Sequence, residues 1–153
     1  CIVPIISFNY SAKKLKRCKD TLKAAVVCGM GLMLIGVLCF EILPSQMLNV
    51  FSKDSEVISI GTVGFKIIGI SFIPMVTSLI FPVFFQAVGS SVVSSLLTIV
   101  RTVILFVPLG FIFSRLGLDY FWLTFPFTEV ITTIVGSVMY NRFVKKNSIL
   151  IKM

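Results

Sequence analysis

The longest uncharged stretch of the chain limits its fold more than any other feature. No Asp, Glu, Lys or Arg occurs in residues 67–100, whereas about 20 apolar residues are enough to cross a bilayer. Apolar residues make up 57% of the sequence and charged residues 13%, against roughly 25% charged residues in an average globular chain. A water-exposed helix needs a polar face, so this composition predicts an all-α integral membrane protein.

The residue types present argue against an enzyme. The sequence contains no histidine, which removes imidazole metal ligands and histidine general bases. The cysteines, which lack the CxxC spacing of zinc and redox sites, are Cys1, Cys18, Cys28 and Cys39. Glu129 is the only acid that falls deep within an apolar span, so a two-carboxylate centre cannot be assembled from this chain alone. We therefore predict no catalytic residue, no metal and no cofactor.

Hydropathy divides the chain into a short lead-in and four spans. The lead-in, residues 1–10, is interpreted as the end of an earlier helix. The uncharged stretch is too long for one crossing, and the polar and small residues at 86–91 favour a turn there. The predicted spans cover residues 24–43, 57–85, 92–114 and 121–140. We treat residues 1–153 as a single partial transmembrane domain, and the start on Cys1 rather than Met predicts a fragment of a longer protein.

The basic residues predict the orientation of these spans. Residues 11–23 contain six Lys or Arg and the tail, residues 141–153, contains four. An even number of crossings separates the two segments, so both lie on one side, whereas the opposite side holds only Lys53 and Arg115. Cytoplasmic loops carry the excess of Lys and Arg. We therefore expect a multi-pass plasma-membrane protein whose 11–23 loop and C-terminus are cytoplasmic.

The net charge of +8 does not indicate nucleic-acid binding, because the basic residues accumulate at the predicted cytoplasmic ends. Leu15, Cys18 and Leu22 share one face of the basic segment, and lysines occupy the other. This pattern is typical of an amphipathic helix that lies on an anionic leaflet. Membrane lipid, rather than nucleic acid, is the predicted partner.

Three charged side chains fall deep within the predicted spans, where a charge costs roughly 2.5 to 3.5 kcal/mol, whereas Glu41 lies at the end of the first span. Glu129 and Lys66 each lie about eight residues from the outer end of their span, and each residue adds about 1.5 Å of depth. We therefore expect a buried polar cluster around Glu129, with Lys66 as the first candidate partner and Arg101 as the second. A structural ion pair, proton or cation coupling, and unpaired side chains that reach the interface all remain open. Gln86 is interpreted as an interfacial cap or a ligand group.

Several ordered motifs resemble one family, the multidrug and toxic compound extrusion (MATE) transporters. PIISFNYSAKKLKRCKDTL is similar to its helix end and basic loop, LPSQMLNVFSKDSEV to the loop after the next helix, and FFQAVGSS to its Phe-Gln-Ala-x-Gly turn. TIVRTVILFVPLG and GLDYFWLTFPFTE resemble its last helix pair. The positions that carry the resemblance are Asn9, Tyr10, Gln86, Gly89, Arg101, Pro126 and Glu129.

This resemblance implies twelve spans in two six-helix lobes. The chain would hold the end of helix eight through helix twelve, which is most of one lobe, and its missing N-terminal lobe would be a partner. The implied activity is export of small organic, often cationic compounds in exchange for sodium ions or protons, by alternating access. Two departures stand out. Ser11 replaces a usual glycine, and the second span offers Lys66 where some branches carry a cation-binding acid.

Two other functions remain open at this point. One is a lipid-linked oligosaccharide flippase of the same superfamily, whose cavity usually contains more basic residues. The other is a stand-alone four-helix membrane subunit with a structural role.

Overall fold

A computed structural model describes the backbone of residues 2–152 and the side chains of residues 2–147. This part of the chain contains helices and turns and no strand. The helices, in chain order, are α1 (Val3–Ser11), α2 (Leu15–Ile42), α3 (Pro44–Asn49), α4 (Ser55–Ala87), α5 (Ser91–Ile99), a π-helical segment (Val100–Leu105), α6 (Phe106–Leu116), α7 (Leu118–Phe121) and α8 (Thr124–Lys152).

Within the described residues, four helical stretches are long and apolar enough to cross a membrane. The shortest has 26 residues, which corresponds to about 39 Å of helix, more than the roughly 30 Å of hydrocarbon in a bilayer. The predicted all-α membrane fold with four transmembrane helices is thereby confirmed. The four stretches are Leu15–Ile42, Ser55–Ala87, Ser91–Leu116 and Leu118–Asn147. The third joins α5, the π-helical segment and α6, and we call it the third span.

Helix α4 is the central element of this arrangement. It packs against α2, α5 and α8, and it carries half of the buried apolar side chains. Two glycines allow close packing on α4. Gly64 of α4 lies against the ring of Trp122, just before α8 begins, and Gly136 of α8 lies against Phe81. Without a Cβ at these positions the backbones come near enough for side chains of one helix to fill the grooves of the other.

The basic segment differs from the predicted surface helix. It forms the first turns of α2, which continues to Ile42 without a break. Cys18 and Leu22 are buried, and the Cys18 thiol donates a hydrogen bond to the Ile6 carbonyl over 3.6 Å. The apolar face therefore packs on α1 and α4 rather than on lipid. This occurs because the turn after Ser11 folds α1 back along α2, while the lysines stay exposed.

The predicted turn between the second and third spans is present at residues 88–90. Gly89 has a φ of +79°, a left-handed conformation that an L-residue adopts at a cost. The Ser90 N–H closes the turn on the Phe85 carbonyl at 2.8 Å, in the manner of a Schellman motif. The glycine is therefore required by the backbone and not by packing, since no atom lies within 4 Å of the Cβ position.

Replacing Gly89 by Ala should lower stability by about 1 kcal/mol, because the left-handed conformation strains a side chain. The thermal midpoint of the purified protein in detergent measures this loss. Ser90→Ala is the matched control, since Ser90 has a negative φ and makes no side-chain capping bond. Equal midpoints for the two variants would contradict this account of the turn.

Candidate functional site

The buried carboxylate of Glu129 is the centre of the polar site. Its side chain is 5% exposed. Arg101 forms a fork with it, in which Nη2 lies 2.5 Å from Oε1 and Nε lies 3.1 Å from Oε1 and 3.2 Å from Oε2. The Ser78 hydroxyl donates to Oε2. A charge-assisted, bidentate pair of this kind is the strongest form of side-chain hydrogen bonding.

Three helices therefore meet at one carboxylate. Ser78 belongs to α4, Arg101 to the third span and Glu129 to α8. An isolated charge at membrane depth is costly, and the fork leaves the pair neutral. The arrangement joins the third span to the α4–α8 pair through buried polar contacts.

Arg101 lies in a local π-helix. The N–H of Phe106 donates to the Arg101 carbonyl, so the hydrogen bond closes over five residues instead of four. Such a segment inserts one residue into the helical register, and it often occurs at functional sites. The bulge rotates the part of the third span that precedes it relative to the part that follows.

A second polar contact joins α4 to α8 one helical turn beyond Glu129. The hydroxyls of Thr77 and Thr133 lie 2.9 Å apart. Thr77 donates to the Pro74 carbonyl at 2.9 Å, and Thr133 lies 3.0 Å from the same oxygen. These neutral groups satisfy one another across the interface, which is the usual way in which hydroxyls join helices within a membrane.

Two cavities flank the Arg101 side chain. One has a volume of about 240 Å³; its polar wall is formed by Arg101, Glu129 and Thr128, and Phe106 and Phe125 lie on its apolar wall. The other, also of about 240 Å³, is lined by residues nearer the 88–90 turn, among them Ser94, Thr98 and Gln86. The ion pair thus lies between two spaces in the helix bundle.

The prediction that Lys66 is the first partner of Glu129 is wrong, and the second candidate, Arg101, holds that place. Lys66 is exposed and forms no ion pair with any described residue. Ser78, which does contact Glu129, lies twelve residues further along α4, or about 18 Å at 1.5 Å per residue. Lys66 therefore lies well away from the carboxylate along α4.

The other motif residues lie away from the ion pair. Asn9 is buried and donates to the Ile5 carbonyl of its own helix at 2.8 Å. The Tyr10 hydroxyl donates to Asn147 Oδ1 at 3.3 Å, which joins the end of α1 to α8. Pro126 is the third residue of α8. Gln86 is exposed and borders the second cavity.

The sequence analysis missed Ser78 and Thr128. A signal for the second was available, since Thr124, Thr128 and Thr132 are spaced four residues apart and so share one face of α8. All three are almost fully buried. For Ser78 the sequence offers no comparable signal, because its role depends on which helix lies beside it.

The arrangement has a clear chemical limit. Glu129 can bind a cation only if Arg101 moves away, because the guanidinium already donates to both carboxylate oxygens. Among residues 2–152, no group of three or more His, Cys, Asp or Glu residues could hold a metal ion. The site is therefore a neutral ion pair with adjoining cavities.

Comparison with solved structures places this geometry in a known fold. The outward-facing conformation of a multidrug resistance MATE family transporter of the MOP superfamily matches 95% of this chain, with a TM-score of 0.89 and 16% identity. A MOP superfamily transporter from Pyrococcus furiosus, whose reversed binding-pocket polarity is taken to suggest a different function, matches equally well at 18% identity. The chain covers 34% of each, about a third of their length.

Sequence comparison identifies the family. No curated protein matches the chain. The family model MatE matches residues 1–112, which include α1 to α5 and the π-helical segment with Arg101. Together with the fold, this confirms the resemblance found in the sequence motifs. The chain belongs to the MatE family of membrane transporters.

Proposed function

We propose that this chain is part of a secondary active antiporter that exports organic, often cationic compounds in exchange for sodium ions or protons. The observation that carries the proposal is the family match over residues 1–112. The fold supports it, because the four spans correspond to about a third of each matched transporter. An N-terminal lobe of the same chain would supply the other wall of the transport path.

The ion pair between buried Glu129 and partly exposed Arg101 supports a role in the transport path. Ionisable residues within a membrane are rare and usually functional. The Arg101–Glu129 fork holds the third span against α4 and α8 in this conformation, and cavities lie on both sides of it. Alternating access requires helices that can pack in two ways, and separation of Arg101 from Glu129 would remove the ion pair between the third span and α8.

The orientation with both basic ends in the cytoplasm is also part of the proposal. The hydrogen bond from Tyr10 to Asn147 and the contact between the rings of Tyr10 and Phe143, whose centroids are 6.0 Å apart, join α1 to the end of α8. This supports placing residues 11–23 and the tail on one side. The bias in Lys and Arg then favours the cytoplasmic side of the plasma membrane.

The flippase alternative is less well supported by the cavities. A site for an anionic lipid-linked sugar would need unpaired positive charge. In the residues described, Arg101 is the basic side chain at both cavities, and Glu129 neutralises it. Antiport of organic compounds therefore remains the better proposal.

The experiment is transport by the full-length protein in proteoliposomes, with a fluorescent organic cation such as ethidium. Sodium and pH gradients are imposed separately. We expect one of the two gradients to drive dye movement. Absence of gradient-driven movement of any organic cation tested would contradict the proposal, and movement of a lipid-linked sugar instead would favour the flippase.

Replacing Glu129 by Gln should slow this transport about tenfold or more, which corresponds to roughly 1.4 kcal/mol. The substitution leaves the Arg101 charge without its counterion at membrane depth. Glu56→Gln is the matched control, because Glu56 is an exposed acid in the first turn of α4. Rates are compared per folded protein. Equal transport rates in the two variants would show that the ion pair has no role in transport.

A further inference from the structure

The cavity beside the ion pair contains an unused hydrogen-bonding group. Thr128 is 1% exposed, and its hydroxyl lacks a hydrogen-bond partner among the described residues. One turn further along α8, the Thr132 hydroxyl donates to the Thr128 carbonyl at 2.8 Å. A buried hydroxyl without a partner destabilises the folded protein, because it has lost its hydrogen bonds to water. Because Thr128 lines the cavity, a molecule bound there could satisfy it.

The apolar side chains that line the cavity can accommodate one aromatic ring. Phe106 and Phe125 pack edge to face, with ring centroids 5.2 Å apart and planes at 74°. Met75 also lines the cavity. Aromatic edges and thioethers make favourable contacts with a third ring. The volume of about 240 Å³ exceeds the roughly 150 Å³ in which an apolar cavity binds benzene. It therefore accommodates one ring with a short substituent.

The electrostatics of the cavity select an uncharged occupant. Glu129 already accepts from Arg101 and Ser78, so the carboxylate offers no free charge to an ammonium group. The described hydrogen bonds of Arg101 run from Nε and Nη2, which leaves Nη1 available as a donor, and Arg101 lines the cavity. A guanidinium whose charge is balanced still donates well to a carbonyl or hydroxyl oxygen. The site therefore favours a hydrogen-bond acceptor over a cation.

We propose that this cavity is a binding subsite for an uncharged aromatic compound with one acceptor oxygen, such as an aryl ketone. The ring lies against Phe106 and Phe125, and the oxygen accepts from Arg101 and Thr128. The inference rests on the proposed transport function and extends its substrates to a neutral class. It also gives the orphaned Thr128 hydroxyl a partner.

The experiment measures binding of three probes with nearly the same frame to the full-length protein purified in detergent. They are acetophenone, ethylbenzene, which lacks the oxygen, and α-methylbenzylammonium, which is a cation. We expect acetophenone to bind most tightly and the ammonium most weakly. Tighter binding of the ammonium than of acetophenone would overturn the proposal.

Substitutions of threonines in α8 then locate the site. Thr128→Val should weaken acetophenone about fivefold or more, which is the loss of one buried hydrogen bond, and leave ethylbenzene unchanged. Thr128→Ser keeps the hydroxyl and should retain binding. Thr132→Val is the matched control, since the Thr132 hydroxyl bonds to its own helix. Equal weakening of both probes by Thr128→Val, or an effect of Thr132→Val as large, would contradict the assigned position.

The outcome is separable from that of the transport assay. Binding of acetophenone by a protein that shows no gradient-driven transport would leave this site in place and remove the proposed function. Gradient-driven transport without acetophenone binding would support the proposed function and contradict this binding site.

Discussion

Replacing Arg101 by Ala is expected to cause the largest loss of stability, about 3–5 kcal/mol, because it leaves a buried carboxylate without its counterion. Glu129 would keep only the Ser78 hydroxyl as a partner. The third span would also lose its ionic contact with α8. Denaturation of the purified full-length protein in detergent, followed by tryptophan fluorescence, measures the change in the free energy of unfolding.

A double substitution distinguishes a lost ion pair from general disruption. Arg101→Met combined with Glu129→Leu removes both charges, and it should be more stable than Arg101→Ala alone, as replacements of buried ion pairs by apolar residues often are. Lys66→Met is the control, because loss of an exposed cation that has no counterion among the described residues should change stability by no more than about 0.5 kcal/mol. A larger loss of stability for Lys66→Met than for Arg101→Ala would indicate that Lys66, and not Arg101, stabilises the polar cluster around Glu129.

The second large effect is expected at Gly136. A Cβ added there would lie 2.5 Å from Cδ2, 3.0 Å from Cγ and 3.1 Å from Cβ of Phe81. The last two atoms are near the backbone of α4 and cannot move without it. Gly136→Ala should therefore force α4 and α8 apart and cost about 1–3 kcal/mol, the usual range for overpacking.

Gly31→Ala is the matched control for this substitution. Gly31 also lies within a spanning helix, but no atom lies within 4 Å of its Cβ position. Both variants gain the same helix propensity from alanine, so the difference between them reports the contact with Phe81. If the thermal midpoints of the two variants agree, close packing of α4 on α8 at Gly136 is refuted.

The fold could be predicted from the sequence because its determinants are local. The length and apolar character of each span, the basic segments and the turn at Gly89 are all properties of short windows. A bilayer leaves few structures that satisfy every backbone group, so such windows are sufficient to predict four helices. The turn predicted at residues 86–91 contains Gly89, whose positive φ is a conformation that glycine adopts readily.

The partner of Glu129 could not be predicted in the same way. Counting residues from a loop assumes that all spans are equally long, but α4 has 33 residues and extends well past the thickness of a bilayer. The π-helical segment that holds Arg101 has no sequence signature in a run of Val, Ile and Leu. The depth and direction of a side chain here depend on contacts between helices, which no single window contains.

The apolar face of the basic segment illustrates the same limit. The spacing of Leu15, Cys18 and Leu22 correctly predicted an amphipathic helix. It did not predict that protein, rather than lipid, covers the apolar face of this helix. Lipid and protein are equally apolar at this depth, so composition does not distinguish them. The thiol contact between Cys18 and Ile6 depends on how α1 folds back.

Thiol labelling of intact cells tests the four-crossing arrangement most directly. Single cysteines are introduced at Lys16, Lys53, Arg115 and Lys146 in a cysteine-free background, and a membrane-impermeant maleimide is added before or after permeabilisation. We expect positions 53 and 115 to react in intact cells, and positions 16 and 146 to react only after permeabilisation. Reaction of position 16 in intact cells, or of positions 16 and 146 on different sides, would contradict the account.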